Sequence, residues 1–323
     1  MADNDNPNRP DEQNWERELL NRLSFASLAE QRRTRRWNIF FKLLIFGYLF
    51  LMLFMVWQGQ RFAEKPVKSG PHTAVVEVNG VISDGTRANA DNIIQGLRSA
   101  FASKQTRGVV LRINSPGGSP VQSDYVYREI VSLRQQHPDI PLHAVIVDIG
   151  ASGAYYIASA ADNIYVNPSS IVGSIGVLMN GFGFVDAMDK LGVERRLLTA
   201  GENKGMLDPF LPLKQEDVSH IQGVLGDIHE EFISAVKRGR GERLVDEPDI
   251  FSGMFWGGAA SIELGLADDI GDVDHVAREV IKAENVVDYT RKPDFFERFA
   301  DRLGASMANV MSEQLGLNSG SLR

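Results

Sequence analysis

The 323-residue chain predicts an α/β protein of stacked βαβ units, preceded by a single N-terminal transmembrane helix. Two observations predict this. After residue 71, short runs rich in β-branched residues alternate with segments whose apolar residues recur at helical spacing. Before it lies one apolar run long enough to cross a bilayer. No fixed-period repeat is visible, so solenoids and propellers are set aside. With 43% hydrophobic and 24% charged residues, collagen, disordered and disulfide-miniprotein classes are also excluded.

Residues 1–38 read as a polar tail. The first 36 residues carry seven acids and seven bases, and the bases crowd the end at Arg32, Arg33, Arg35 and Arg36. Residues 39–57 (IFFKLLIFGYLFLMLFMVW) hold one charge, Lys42, near the edge where its side chain can snorkel. At helical rise this run spans roughly 28 Å, about one hydrocarbon core. Trp37, Tyr48 and Trp57 place aromatics at both ends. A buried core helix of this length would keep a polar face. A cleaved signal peptide would have a shorter apolar run, begin sooner and end in a small-x-small site, whereas Gln58-Gly59-Gln60-Arg61 follows here. The run is therefore read as an uncleaved anchor. The excess of bases before it predicts a cytoplasmic N-terminus and an exported remainder, which in a bacterium means inner membrane and periplasm.

Residues 58–71 form a Pro/Lys/Gly linker, and residues 69–323 carry 23 bases against 34 acids, a net of −11. That acidity argues against a nucleic-acid partner. Cysteine is absent, which removes disulfides, thiolate nucleophiles and Cys-ligated metals, and any nucleophile must be Ser, Thr, Lys or a carboxylate.

The first strand is expected over His72–Ile82 and a helix over Ala90–Ala102. A buried strand follows at Gly108–Ile113, then a helix over Gly118–His137 with Val121, Tyr125, Ile130 and Leu133 on one side. Leu142–Ile149 is a second buried strand, running into the small-residue segment Gly150–Ala161, which suits a closely packed helix. Further strands are expected at Ile164–Val166, Ile175–Leu178 and Arg196–Thr199, and a long helix over about Gln215–Arg238. The helical tail 286–323 carries an apolar stripe of Phe296, Phe299, Leu303, Met307, Val310 and Met311, read as subunit packing.

Open α/β sheets place their sites in loops after strands. The loop Asn114-Ser115-Pro116-Gly117-Gly118-Ser119 can turn bare backbone N–H groups toward an anion or oxyanion, or it can be a plain strand-to-helix turn. It lacks the Gly-Lys-Ser/Thr of a P-loop. In Gly150-Ala151-Ser152-Gly153-Ala154, Ser152 is either a nucleophile at a helix N-terminus or an ordinary N-cap. Ala154 breaks the G-x-S-x-G elbow of α/β-hydrolases.

The six histidines show no metal-pair spacing, and no cofactor motif is present. Lys204 follows an expected strand in a turn-rich segment. It can serve as a base where burial lowers its pKa toward neutrality, and is otherwise a surface lysine. Asp148 and Glu202 are read as structural or solvated, since an ionised neighbour would raise the lysine pKa.

In order along the chain stand N-S-P-G-G-S, A-S-G-A-Y-Y-I-A-S-A-A-D, G-S-I-G-V, A-G-x-x-K-x-x-x-x-P-F and W-x-G-x-x-A-x-x-x-G-L-x-D-x-x-G. Together, from about residue 73 to 285, they resemble the signal peptide peptidase A family of membrane-anchored serine proteases. The resemblance implies a Clp protease/crotonase-like fold of stacked ββα units over residues 72–285. It also implies a homo-oligomer on the membrane, a ring of about eight subunits. It assigns Ser152 as nucleophile, Lys204 as general base and Ser174 as the group that orients the lysine. Gly117 and Gly153 become oxyanion donors, with Gly118 a neighbouring candidate. The family's Ser-Gly-Gly reads Ser152-Gly153-Ala154 here, a change expected to crowd the pocket wall.

The implied activity is endopeptidase cleavage of apolar peptides, such as remnant signal peptides, through an acyl-enzyme. The substrate would lie extended beside Gly117-Gly118. No cofactor is called for. The alternatives are a crotonase-like acyl-CoA enzyme, disfavoured by export and the lack of an acidic pair in the expected loops, and a non-catalytic membrane scaffold on the same fold.

Overall fold

The computed structural model describes residues 32–54 and 70–292. The chain divides into two units, Met1–Val67 and Lys68–Arg323. In the first, α1 (Arg32–Phe54) is a single helix with mean hydropathy 1.9 over its most apolar window and side chains exposed along its length. A helix whose residues 43–54 are apolar and exposed suits a lipid environment. Trp57, the linker and the stripe from Phe296 to Met311 lie outside the described residues.

The second unit is built on one sheet. Its strands are β1 (His72–Asn79), β2 (Thr106–Ser115), β3 (Leu142–Ala151), β4 (Asn163–Val166), β5 (Ile171–Gly173), β6 (Phe255–Gly257), β7 (Asp269–Ile270) and β8 (Val286–Asp288). The order is β6-β5-β3-β2-β1-β8, with β4 on β3 and β7 on β4. All pairs are parallel except β5 with β6. The ten-residue β3 serves two partners: its start pairs with β4 and its end, Ile149–Ala151, with β5. This split opens the sheet where β3 delivers Ser152.

The helices are α2 (Ala90–Ala102), α3 (Pro120–Gln136), α4 (Gly153–Ala158), α5 (Val185–Leu191), α6 (Gln215–Arg240) and α7 (Gly258–Glu263). The Asn89 side chain accepts from Asn92 N–H to start α2. Ser119 accepts from Gln122 N–H, with Pro120 at the first helical position, to start α3, so this helix begins two residues later than its pattern suggests.

Leu97, Leu111, Ile113, Val126, Ile130, Ile146, Tyr155 and Val236 share one core on the face covered by α2, α3, α4 and α6. A smaller cluster of Val75, Val110, Val145, Tyr165 and Val276 lies on the other face. Burial on both faces explains why β2 and β3 read as unbroken apolar runs.

Two expected strands are absent. Residues 174–184 and 193–199 have no regular structure, and α5, in place of coil, carries no buried residue. Neither segment has a strand partner among the described residues. Of the side chains that suggested strands, Ile175 is buried in the core, whereas Leu178 is 80% and Leu198 96% exposed; Phe182 between them is 82% exposed.

Candidate active site

Ser152 stands at the junction of β3 and α4. Its φ of 53° and ψ of −126° are costly for a residue with a Cβ, and such strain collects at functional sites. It is held by two neighbours. Ser152 N–H donates to Gly173 carbonyl at 2.8 Å, and Ser152 carbonyl accepts from Tyr156 N–H at 2.9 Å. The side chain makes no capping hydrogen bond, so the ordinary N-cap alternative does not describe it. The hydroxyl remains available.

Gly117 and Gly118 approach from the β2–α3 loop. A Cβ on Gly117, whose φ is +95°, would stand 2.6 Å from Gly153 N and 2.8 Å from Ser152 Cβ, so only glycine permits this approach. Gly117 is buried and its N–H donates to Ser115 Oγ at 3.1 Å. Gly118 is exposed. Ile82 N–H donates to Gly117 carbonyl at 2.9 Å and Ser119 N–H to Ile82 carbonyl at 2.8 Å. In that parallel pairing, Gly118 turns its own N–H and carbonyl away from Ile82, toward the Ser152 side. Gly118 N lies 3.3 Å from the point a Gly153 Cβ would occupy. Gly118 N–H and Gly153 N–H, the latter an orphan of the first turn of α4, thus stand close together beside Ser152.

The segment from Pro116 to Pro120 has one edge taken by Ile82. On the opposite edge, positions 116 and 120 are prolines and carry no N–H. Gly118 is left as the backbone donor of that edge between Pro116 and the start of α3.

Ser152, Gly153, Gly118 and Ser174 line one cavity of about 530 Å³. Ser174 also has a positive φ, 52°, and its N–H donates to Met254 carbonyl at 2.7 Å. Lys204 is not among the lining residues of this cavity. It is an exposed residue of a turn in which its N–H donates to Gly201 carbonyl at 3.1 Å. Asp148 is exposed and accepts from Asn114 Nδ2 at 2.8 Å, and Glu202 is exposed. Ala154 is fully buried in the main core. The expectation that its methyl crowds the pocket wall is therefore corrected, because α4 turns that side chain inward.

The lining residues without a signal in the loops include Tyr156 on α4, Ile228 and Phe232 on α6, and Ser252 and Gly253. Tyr156 follows the Ser-Gly pair closely enough to be suspected. Phe232 lies 80 residues downstream of Ser152 in a helix that reads only as amphipathic. Burial pushes the Tyr156 hydroxyl pKa up, reinforced by Asp124, to which the hydroxyl donates at 3.1 Å.

The fold and loops define an α/β protein with a strained serine facing two backbone donors. The chain matches peptidase family S49 over residues 134–287. It is 49% identical over 177 residues to a Na(+)/H(+) antiporter NhaA of Brucella melitensis, covering 55% of this chain and 24% of that protein. It is 28% identical over 223 residues to a putative signal peptide peptidase SppA of Enterococcus faecium, covering 67% of this chain and 64% of that one. With a putative protease of Synechocystis it shares 30% identity over 217 residues, 67% of this chain and 74% of the other.

The chain belongs to peptidase family S49, the signal peptide peptidase A family, and has its Clp protease-like α/β fold. It spans about a quarter of the length of the Brucella relative and just under two thirds of the Enterococcus one.

Proposed function

We propose that the protein is a membrane-anchored serine endopeptidase that cleaves apolar peptides, remnant signal peptides among them, with Ser152 as nucleophile and Lys204 as general base. One observation carries the reading: Ser152 is held at φ 53° with its hydroxyl uncapped, beside the N–H groups of Gly118 and Gly153. Ser152 Oγ attacks the peptide carbonyl while the neutral Lys204 amine takes its proton. Gly118 and Gly153 N–H groups hold the oxyanion. The lysine ammonium then protonates the leaving amine, and water, deprotonated by the same lysine, hydrolyses the serine ester. Ser174, in the same cavity, orients the amine.

Lys204 reaches this cavity from a neighbouring copy in a homo-oligomeric ring. Support comes from the exposed position of Lys204 and from the segment around it, which carries Leu178, Phe182 and Leu198 without cover. Helix α1 anchors the ring in the bacterial inner membrane, with residues 1–38 cytoplasmic, residues 58–71 a linker, the peptidase domain 72–285 periplasmic and 286–323 a C-terminal tail. No cofactor or nucleic acid takes part. An acyl-CoA enzyme or a silent scaffold would leave the strained serine without a role.

The test is complementation. Ser152→Ala and Lys204→Ala should each lower kcat on an apolar peptide by about a thousandfold or more. Mixing and reassembling the two inactive variants should restore part of it. Activity retained by either single variant would overturn the dyad, and failure to complement would overturn the shared site.

A further inference from the structure

Lys204 stands in a run of successive turns. Lys204 N–H donates to Gly201 carbonyl at 3.1 Å, Met206 N–H to Asn203 carbonyl at 3.1 Å, Asp208 N–H to Gly205 carbonyl at 3.3 Å and Leu211 N–H to Asp208 carbonyl at 3.1 Å. Within the run Leu207 takes a φ of 56°, a conformation that is costly for a bulky side chain and persists only where neighbours enforce it. The enforcing contacts meet at Asp208. One carboxylate oxygen accepts from Phe210 N–H at 2.9 Å and the other from Arg195 Nη2 at 3.0 Å. The Arg195 guanidinium lies 6.0 Å from the centre of the Phe210 ring, which stacks on Phe184 at 5.5 Å and 27°. Phe184 N–H donates to Pro209 carbonyl at 2.7 Å.

We propose that Asp208, gripped by Arg195, is the positioning residue for Lys204: it locks the turns on either side of Leu207, so that the lysine is presented in one place to the serine of a neighbouring copy. This inference rests on the peptidase reading and goes further, assigning the placement of the base to an ion pair that is not among the residues lining the catalytic cavity.

The arm needs such a lock because it has little core of its own. Helix α5 buries no residue and Leu198 is 96% exposed, so apolar packing alone leaves the turns free to shift. One carboxylate closes a local turn with Phe210 and reaches back to the segment after α5. Phe210 N–H, followed by Arg195, holds the Asp208 carboxyl below the ordinary carboxylate range, which keeps it ionised. The Arg195 side chain is 41% exposed, and an exposed ion pair adds little to overall stability. Its effect is on placement instead: a base displaced by about 1 Å costs a reaction on the order of a hundredfold.

The experiment uses the full chain in detergent and one apolar peptide. Asp208→Ala and Arg195→Ala should each lower kcat by about thirtyfold or more while KM moves by less than about threefold, and Arg195→Lys should regain part of the rate. Subunit mixing then shows which site is harmed. With Asp208→Ala in the Ser152→Ala chain, mixed with Lys204→Ala chains, the restored sites use the altered arm, and their activity should fall by the same factor. With Asp208→Ala in the Lys204→Ala chain, mixed with Ser152→Ala chains, they use an intact arm and should stay within about threefold of the parent mixture. A general loss of packing or assembly would lower both mixtures alike. Equal losses in the two mixtures, or kcat within about threefold of wild type in both single variants, overturn the inference. Cleavage that survives Ser152→Ala or Lys204→Ala overturns the peptidase reading instead.

Discussion

The Ser123 hydroxyl of α3 fills the space that a Cβ on Gly153 would need, and in doing so fixes the spot where α4 begins beside Ser152. Ser123 is fully buried and its hydroxyl donates to Ser119 carbonyl at 2.9 Å. Gly153→Ala should therefore displace the Gly153 N–H and lower kcat by about a hundredfold. Ser123→Gly in the same chain should recover part of that loss. The check is steady-state kinetics on both variants, and no recovery would mean that Ser123 is not the obstacle.

Ser115 and Gly117 separate the two oxyanion candidates of the loop. Gly117 N–H is spent on Ser115 Oγ. Ser115→Ala should leave that buried N–H unpaired, costing about 1–3 kcal/mol of stability, with kcat changed by less than about tenfold. A melting curve and a kinetic assay report the two effects separately. A fall in kcat larger than the stability loss explains would favour Gly117 as the donor.

Buried charge supplies a stability test. The Arg240 side chain is wholly enclosed and meets both Asp268 carboxylate oxygens, at 2.7 and 2.9 Å, while its Nε donates to Gly265 carbonyl. Burial raises the Asp268 pKa, but Arg240 bonding and charge outweigh it, and the net shift is downward. Asp268→Ala should cost about 3–5 kcal/mol by stranding the guanidinium. Replacing both residues by apolar ones should cost less than that single change, as denaturant titration would show.

His143 gives the pH dependence. It is 5% exposed, its Nδ1 has no hydrogen-bond partner among the described residues, and burial lowers its pKa from the ordinary 6.5, opposed by Asp162 and Asp268 and assisted by Arg134. The folded state therefore keeps the ring neutral where the unfolded chain protonates it. This contribution to stability is full above pH 6.5 and falls away as pH drops below it, by at most about 1.4 kcal/mol per pH unit. His143→Leu should flatten the stability profile between pH 7 and 5 relative to wild type. A parallel profile would remove His143 as its source.

Leu198, 96% exposed in a segment without strand partners, tests the assembly. Leu198→Asp should shift the particle toward smaller species in light scattering and lower activity in parallel. An assembly of unchanged size would show that this segment does not join copies.

Much of the sheet was legible because β1, β2 and β3 are buried on both faces and announce themselves as apolar runs. The helical spacing likewise marked α2 at its observed bounds and α3 to within two residues at its start. Ile175–Leu178 and Arg196–Thr199 differ from the expected strands because their apolar residues satisfy a strand pattern without any strand to pair with among the described residues. At the site, small residues flagged Ser152, Gly117 and Gly118. What a pattern could not carry was direction: which glycine N–H is spent on Ser115, that Ala154 faces the core, and that Phe232 returns from 80 residues away to line the cavity.

The prolines at 116 and 120 have a consequence beyond the reaction. An uncovered strand edge beside an apolar cavity is a template on which a second chain can zip and stay. With one backbone N–H on that edge, the loop can grip a passing peptide at a single rung but cannot nucleate a growing sheet. Under the proposed function, a protein that handles sticky apolar fragments would thereby be spared from becoming a seed for their aggregation.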